Sequence, residues 1–391
     1  MKKILTVAVL AAPAALFAAL YGDTPDAKHA WAVHDHNRPN PVKISAEAGK
    51  PPSDAIVLFD GTRESFEKNW CNMNGEATKW VCDGKGEFHC APGYVNGGNI
   101  RTRGEFGDCQ LHIEFKHDTD FEPHPAGAQM RGNSGIFLMS NYEIQVLESY
   151  HTDPADMRVP NYADGQAGAV YAENPPMVNP ARKPGEWQTY DIVFHQPVWD
   201  GLKLVHPGSV SVFFNGVLVQ DHWELEGLTT HCVRRPLAPH AAKGPLMLQD
   251  HGCTVYFRNV WLRPLPSRWA NKTHSALSAD ENEVMALRRK TAAELFAKIA
   301  EPSVPSAENV IALAEVVSYA MEGEQKEAWD KAVAGLLATI KSNSDAELKT
   351  SAGELVKVRN SLRVLERNAV VPHKFVLLQQ LEALSIKFGW K

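Results

Sequence analysis

The sequence predicts an all-β sandwich, or jelly roll, followed by a small α-helical bundle. Two observations carry this. Between Ile56 and Leu265 the chain runs in short stretches rich in Val, Ile, Phe, Tyr and Trp, separated by Gly, Asn, Asp and Pro, as many short strands with intervening turns require. After Pro266 the composition shifts to Ala, Leu, Glu and Lys, with apolar residues at helical spacing, the pattern of amphipathic helices.

Strands are expected at 56–59, 111–116, 142–146, 190–194, 210–214 and 255–260. Asn215-Gly216, between the runs Val210 to Phe214 and Val217 to Val219, is a two-residue hairpin signal because both residue types tolerate positive φ. No helical pattern is interleaved with these runs, so a sandwich is expected rather than an α/β fold. Helices are expected over 281–299, 307–321, 326–340, 346–365 and 374–388, with Ser278 and Glu281 as a capping box and Ser306 as a second cap. They show no catalytic pattern, and a stabilising or protein-contact role is expected of them.

The first residues carry an export address. Lys2 and Lys3 precede an apolar run from Ile4 to Leu20, interrupted by Pro13 and ending near Ala18 and Ala19, which reads as a secretory signal over 1–22 and places the mature protein in the periplasm. An uncleaved anchor is the competing reading; Pro13 and the turn-prone Gly22-Asp23-Thr24-Pro25 favour cleavage, and no later segment is apolar for long enough to span a bilayer. A Pro-rich arm or linker is expected over 23–54, the sandwich over 55–266 and the helical domain over 275–391. The net charge of -6, without a basic patch, excludes a nucleic-acid partner. Six cysteines permit disulfides after export; Cys82 and Cys90 flank Asp83-Gly84-Lys85-Gly86 and are placed to face each other across a hairpin. The cysteine spacings match no zinc site and no catalytic thiol motif.

Alternate strand residues share a face. His112, Glu114 and Lys116 therefore lie opposite Leu111, Ile113 and Phe115; Glu143 and Gln145 lie opposite Tyr142, Ile144 and Val146; Gln249 and His251 lie opposite Leu248. Three strands would thus present polar residues on one side. A solvated sheet face is the bland explanation, but Glu143, Gln145, Gln249 and His251 are suited to fixed hydrogen bonds with sugar hydroxyls. Tyr142, Tyr171, Trp187 and Trp223 are available to stack on a sugar ring or to fill the core. An ordinary glycosidase needs two carboxylates about 5 Å or more apart. Here the residue two beyond Glu143 is Gln145, and Glu148 has the opposite parity, so no pair forms on the strand.

At these residues the chain resembles the 3-keto-disaccharide hydrolase family, whose members share a concanavalin A-like jelly roll. The matching motifs run in order along the sandwich: Leu58-Phe59-Asp60-Gly61-Thr62, Gly107-Asp108, Asn133-Ser134-Gly135-Ile136 and Tyr142-Glu143-Ile144-Gln145. Gly168-Ala169-Val170-Tyr171, Pro184-Gly185-Glu186-Trp187, Asn215-Gly216, Leu248-Gln249-Asp250-His251-Gly252 and Phe257-Arg258-Asn259-Val260-Trp261 follow. The resemblance spans the sandwich and none of the helical tail. Glu148 stands where the family usually has Asp, and Gln188 where it has Asn; the insertion-like segments 196–207 and 229–243 alter the rim.

The resemblance implies chemistry that needs no carboxylate pair. In a sugar oxidised at C3 the C2 hydrogen is acidic; one base removes it, the C1 substituent leaves by elimination, and water adds back. On this reading Glu143 is the base, His251 the acid or enediolate donor, and Arg131 or Arg258 the electrostatic stabiliser. Asn133, Gln145 and Gln249 hold hydroxyls, and Tyr171 and Trp187 contact the ring. No cofactor is required; a divalent cation is an alternative to the guanidinium. The rival reading is a lectin-like carbohydrate-binding module of an exported glycan-use system, with the same fold and no turnover.

Overall fold

The computed structural model describes residues 22–90, 97–119, 128–150, 162–266 and 280–391. The expected signal, Ser278 and the expected start of the helical domain lie outside them. The chain divides into two compact units, Lys43–Leu277 with the strands, and Met1–Val42 together with Ser278–Lys391 with the main helices.

In the first unit the strands are β1 (Ile56–Phe59), β2 (Trp70–Asn72), β3 (Val81–Cys82), β4 (Phe88–His89), β5 (Ile100–Thr102) and β6 (Cys109–His117). Then come β7 (Ser134–Leu138), β8 (Tyr142–Val146), β9 (Gln188–His195), β10 (Val198–Asp200), β11 (Lys203–His206) and β12 (Ser209–Phe214). The last are β13 (Val217–Glu224), β14 (Gly227–Leu228), β15 (Arg235–Pro236), β16 (Met247–Leu248) and β17 (Val255–Pro264). One short helix, α1 (Arg63–Asn69), follows β1 and is capped by the Thr62 side chain, which accepts from the Ser65 N–H.

An eight-stranded sheet runs β13-β12-β9-β6-β17-β4-β3, with β1 added beside β17, and a five-stranded sheet runs β2-β5-β16-β7-β8. The two sheets form the expected sandwich. Its core is built by alternation: Leu111, Ile113 and Phe115 of β6 and Tyr190, Ile192 and Phe194 of β9 are fully buried, and they pack in one cluster with Ile136, Tyr142, Ile144 and Val146 from the smaller sheet. Tyr142 and Phe194 meet with ring centroids 5.8 Å apart. The Tyr190 hydroxyl crosses the same layer and donates to the Gln145 carbonyl at 2.8 Å, anchoring β8 to the larger sheet. Asn215 and Gly216 take φ of 50° and 80° and pair Phe214 with Val217, the hairpin that the dipeptide predicts.

Two expectations are corrected. The three polar strand faces do not lie on one side: β6 belongs to the larger sheet and β8 to the smaller, so with both apolar faces turned into the core, His112, Glu114 and Lys116 point away from Glu143 and Gln145. Cys82 and Cys90 are not bridged; all six thiols are free, and Cys90 donates instead to the Cys253 carbonyl at 2.7 Å.

The second unit holds α2 (Asp280–Phe296), α3 (Ala307–Tyr319), α4 (Gly323–Ser342), α5 (Asp345–Thr350), α6 (Ala352–Arg367) and α7 (Val376–Phe388). Ser306 caps α3 by accepting from the Asn309 N–H at 3.1 Å. The helix expected over 346–365 is broken at Ser351, which closes α5 with ψ of 8°; a capping box of Ser344 and Glu347 starts it. Part of the Pro-rich arm packs here: Trp31 meets Tyr319 edge-on, with ring centroids 6.3 Å apart, and Asn37 donates to Glu315 at 2.7 Å. Among the described residues no helix is long and apolar enough to cross a membrane.

The Gln145 carbonyl also accepts from the Gly168 N–H at 3.0 Å, so Tyr190→Phe leaves it bonded and removes one buried hydrogen bond. The expected loss is about 1 kcal/mol, read as a lower urea midpoint with an unchanged slope.

Candidate functional site

On the smaller sheet, the face turned away from the core opens into a cavity of about 410 Å³. β8 is buried along its whole length, which follows from its two environments: Tyr142, Ile144 and Val146 enter the core, while Glu143 and Gln145 line the cavity. Asn133 precedes β7, Phe137 lies on it, and Gln249 and His251 follow β16; all four line the cavity. Tyr162, Tyr171, Thr229, Thr230 and His231 complete the lining, Tyr171 from a segment that pairs along the edge of β8 through the Ile144–Val170 bridge.

Glu143 is the only carboxylate among the lining residues. Its backbone is held from both sides, the N–H by the Thr229 hydroxyl at 2.9 Å and the carbonyl by the Tyr171 N–H at 3.1 Å. Its side chain is 4% exposed. Burial alone pushes its carboxyl up to about 8, because a desolvated anion is disfavoured when no cation or donor compensates it.

Gly135 explains how the carboxyl fits. It stands on β7 opposite Gln145, and a Cβ there would lie 2.8 Å from Glu143 Cδ and 2.7 Å from a Phe137 ring carbon. The Glu143 side chain therefore lies across the space that any other residue would fill. In the Asn-Ser-Gly motif, legible in the sequence only as a turn or strand entry, Asn133 lines the cavity and Gly135 makes room for the Glu143 carboxyl.

Around the carboxyl the polar groups are carboxamides. Asn133 Nδ2 donates to the Gln129 carbonyl at 2.8 Å, and Gln129 Nε2 to the Gly165 carbonyl at 3.1 Å. Gln145 Nε2 also reaches the Gly165 carbonyl, at 3.3 Å. Gln145 Oε1 and Gln249 Oε1 are buried with no hydrogen-bond partner in the described structure; acceptors of this kind are matched by donors such as hydroxyls. His251 is shifted down by burial, which favours the neutral imidazole, a hydrogen-bond donor without charge.

Six of the expected site residues thus converge: Glu143, His251, Asn133, Gln145, Gln249 and Tyr171. Three do not. Arg258 lies on the outer face of the larger sheet, where Nε donates to Glu114 at 2.6 Å. Trp187 is there too, with the Arg258 guanidinium 4.0 Å and the Lys116 ammonium 4.6 Å from its ring centroid. Arg131 is bound to the buried carboxylate of Glu148, while the Glu148 N–H bonds the Arg131 carbonyl at 2.9 Å; the pair ties the turn bearing Asn133 to the end of β8. No arginine or lysine is among the lining residues. Among the described residues no group of three or more His, Cys, Asp or Glu is placed to hold a metal ion.

His231, Tyr162, Thr229, Thr230 and Gln129 were not legible as site residues. His231 and the two threonines lie in the insertion-like segment, which has neither strand alternation nor helical period to give its side chains a direction.

The Glu143 shift has a consequence for stability. The unfolded carboxyl ionises near 4.5 and the folded one near 8, so between these values the folded state holds a proton that the unfolded state has lost. Stability contributed by this group is therefore intact below about 4.5 and falls as pH rises to about 8. Glu143→Gln should remove that fall and be the more stable form at pH 9, by a few kcal/mol on the order of the shift, measured by urea unfolding at pH 5, 7 and 9.

No curated protein matches the chain. Among solved structures, a candidate glycosyl hydrolase from Parabacteroides distasonis ATCC 8503 is 35% identical, aligned over 61% of this chain and 98% of its own, with a TM-score of 0.53. A second from the same organism is 20% identical over 55% of this chain and 94% of its own, with a TM-score of 0.38. The matched family, described as a 3-keto-alpha-glucoside-1,2-lyase-like domain, covers residues 54–263. With more than half of its length so matched, from the strand before the short helix to the end of β17, the chain belongs to that family.

Proposed function

We propose that this protein cleaves the glycosidic bond of 3-keto-glycosides by elimination, with Glu143 as the base that removes the C2 proton. The observation that carries this reading is a single desolvated carboxyl in a cavity with no second carboxylate among its lining residues. Direct hydrolysis of the usual kind needs two. Proton abstraction beside a ketone needs one, with a pKa near the working pH. A carboxyl raised to about 8 is a far stronger base than an exposed glutamate.

The remaining residues support the same chemistry. Once C2 loses its proton, negative charge spreads onto the C3 oxygen, and the N–H of a neutral His251 stabilises it as a preorganised donor. Gln145 Oε1 and Gln249 Oε1 accept from sugar hydroxyls, which fixes the ring with C2 over Glu143. Expulsion of the C1 substituent leaves a C1–C2 double bond; water adds at C1, and Glu143 returns its proton to C2. The activity of a carbohydrate-active enzyme is in keeping with the description of the 35% identical Parabacteroides protein. A lectin-like module would gain nothing from burying an uncompensated carboxyl, which costs stability.

Glu143→Gln should abolish both turnover of a 3-keto-glucoside and exchange of its C2 hydrogen in deuterated water; exchange at the wild-type rate would remove Glu143 from the base role. In the wild type, kcat/KM should rise with pH and level off above about 8, since the base works ionised. Gly135→Ala, which displaces the carboxyl, should lower kcat about 100-fold with an unchanged circular dichroism spectrum.

A further inference from the structure

The cavity has a neighbour with which it shares a wall. A second pocket of about 270 Å³ is lined by Leu228, Pro236, Glu226, Arg234 and Arg235, and it has Tyr171 and Thr230 in common with the first. The first falls within the roughly 300 to 1,000 Å³ of ligand pockets and the second, at about 270 Å³, just below it, so the second suits a small group and no more than one sugar ring. Leu228 and Pro236 offer an apolar surface for a ring face, and the charged residues at its edge offer partners for hydroxyls.

The shared wall carries a chain of proton-bearing groups. The Tyr171 hydroxyl lies 2.9 Å from the Tyr162 hydroxyl and 2.9 Å from His231 Nδ1. His231 is exposed to solvent, and its other nitrogen, Nε2, lies 3.1 Å from the thiol of Cys232. Tyr171 itself is 9% exposed, and it is tied to the base through the bond of its N–H to the Glu143 carbonyl, 3.1 Å long. A buried hydroxyl at the boundary of two compartments, backed by an imidazole open to water, is the arrangement of a proton donor with its supply.

Resting on the reading of the first cavity given above, we propose that the second pocket receives the leaving group, a second sugar ring, and that Tyr171, resupplied by His231, protonates the oxygen that departs from C1. With the keto ring over Glu143, the C1–O bond has to cross the shared wall. The step balances: the C2 proton passes to the Glu143 carboxylate, the C2–H electron pair forms the C1–C2 double bond, and the C1–O pair stays on the leaving oxygen. That oxygen takes the Tyr171 proton, Tyr171 takes the His231 Nδ1 proton, and His231 recovers one from solvent. No redox partner is needed.

The test compares two 3-keto-glucosides, a disaccharide and a p-nitrophenyl glycoside whose leaving group needs no proton. Tyr171→Phe and His231→Gln should lower kcat/KM for the disaccharide at least about 100-fold, as loss of a general acid does, and change it less than about 5-fold for the nitrophenyl glycoside. C2 deuterium exchange should persist in both variants. Leu228→Trp, which fills the second pocket, should raise KM for the disaccharide and leave unaffected a third substrate, methyl 3-keto-glucoside, whose leaving group is too small to enter that pocket. Equal losses on both substrates, or none, with wild-type exchange intact, would overturn this assignment alone. A wild-type protein that neither exchanges the C2 hydrogen nor cleaves either substrate would overturn the reading of the site itself and this assignment with it.

Discussion

β8 is enclosed on both faces, and that constraint governs the site. A strand with one solvated face can hold a glutamate at no cost. Here the period of two sends Tyr142, Ile144 and Val146 into the core and leaves Glu143 and Gln145 in a cavity that Phe137, Tyr162 and Tyr171 also line. The Tyr190 hydroxyl on the Gln145 carbonyl and the Thr229 hydroxyl on the Glu143 N–H hold the strand in that position. Desolvation of the carboxyl, its raised pKa and the need for Gly135 beside it all follow from this enclosure.

Two glutamates show what the enclosure does. Glu114 on the outer face of the larger sheet is partly desolvated, but hydrogen bonds from His112, Asn259 and Arg258 outweigh this and bring it down to about 2. His112 is likewise opposed by burial, yet its bonds to Asp191 and Glu114 hold it up at about 9. That cluster is compensated and stays charged. Glu143 has desolvation and nothing to oppose it, so the same residue type becomes a base poised near neutral pH. A compensated network suits a surface that stabilises a sheet; an uncompensated carboxyl suits a site that reacts.

Much of this was legible from local pattern. Alternation in Leu111–Lys116 and Tyr142–Val146 located the strands and told core from polar face, and Asn215-Gly216 marked a hairpin that formed as expected. Gln145, two residues beyond Glu143, counted against a carboxylate pair on that strand before any geometry was known. What misled was parity carried between strands. The polar faces of β6 and β8 follow the same rule, but the strands lie in opposing sheets, so Arg258 and Trp187 join the His112 and Glu114 side and leave the cavity. A strand's own sequence states which residues share a face, and nothing in it states which sheet the strand joins.

Composition and periodicity by themselves determined the two structural regimes, the positions of β1, β6, β8, β9, β12 and β17, most helix positions, and the pairing of Glu143 with Gln145 on one polar face, because each depends on neighbours within a few residues. Only the tertiary structure decided that Gly135 makes room for the Glu143 carboxyl and that Arg131 is bound to Glu148. It alone brought His231, 60 residues on from Tyr171, to the wall of the same cavity. Those contacts join segments far apart in the chain through loops without a period, where side-chain direction is set by packing against the rest of the fold and not by local sequence.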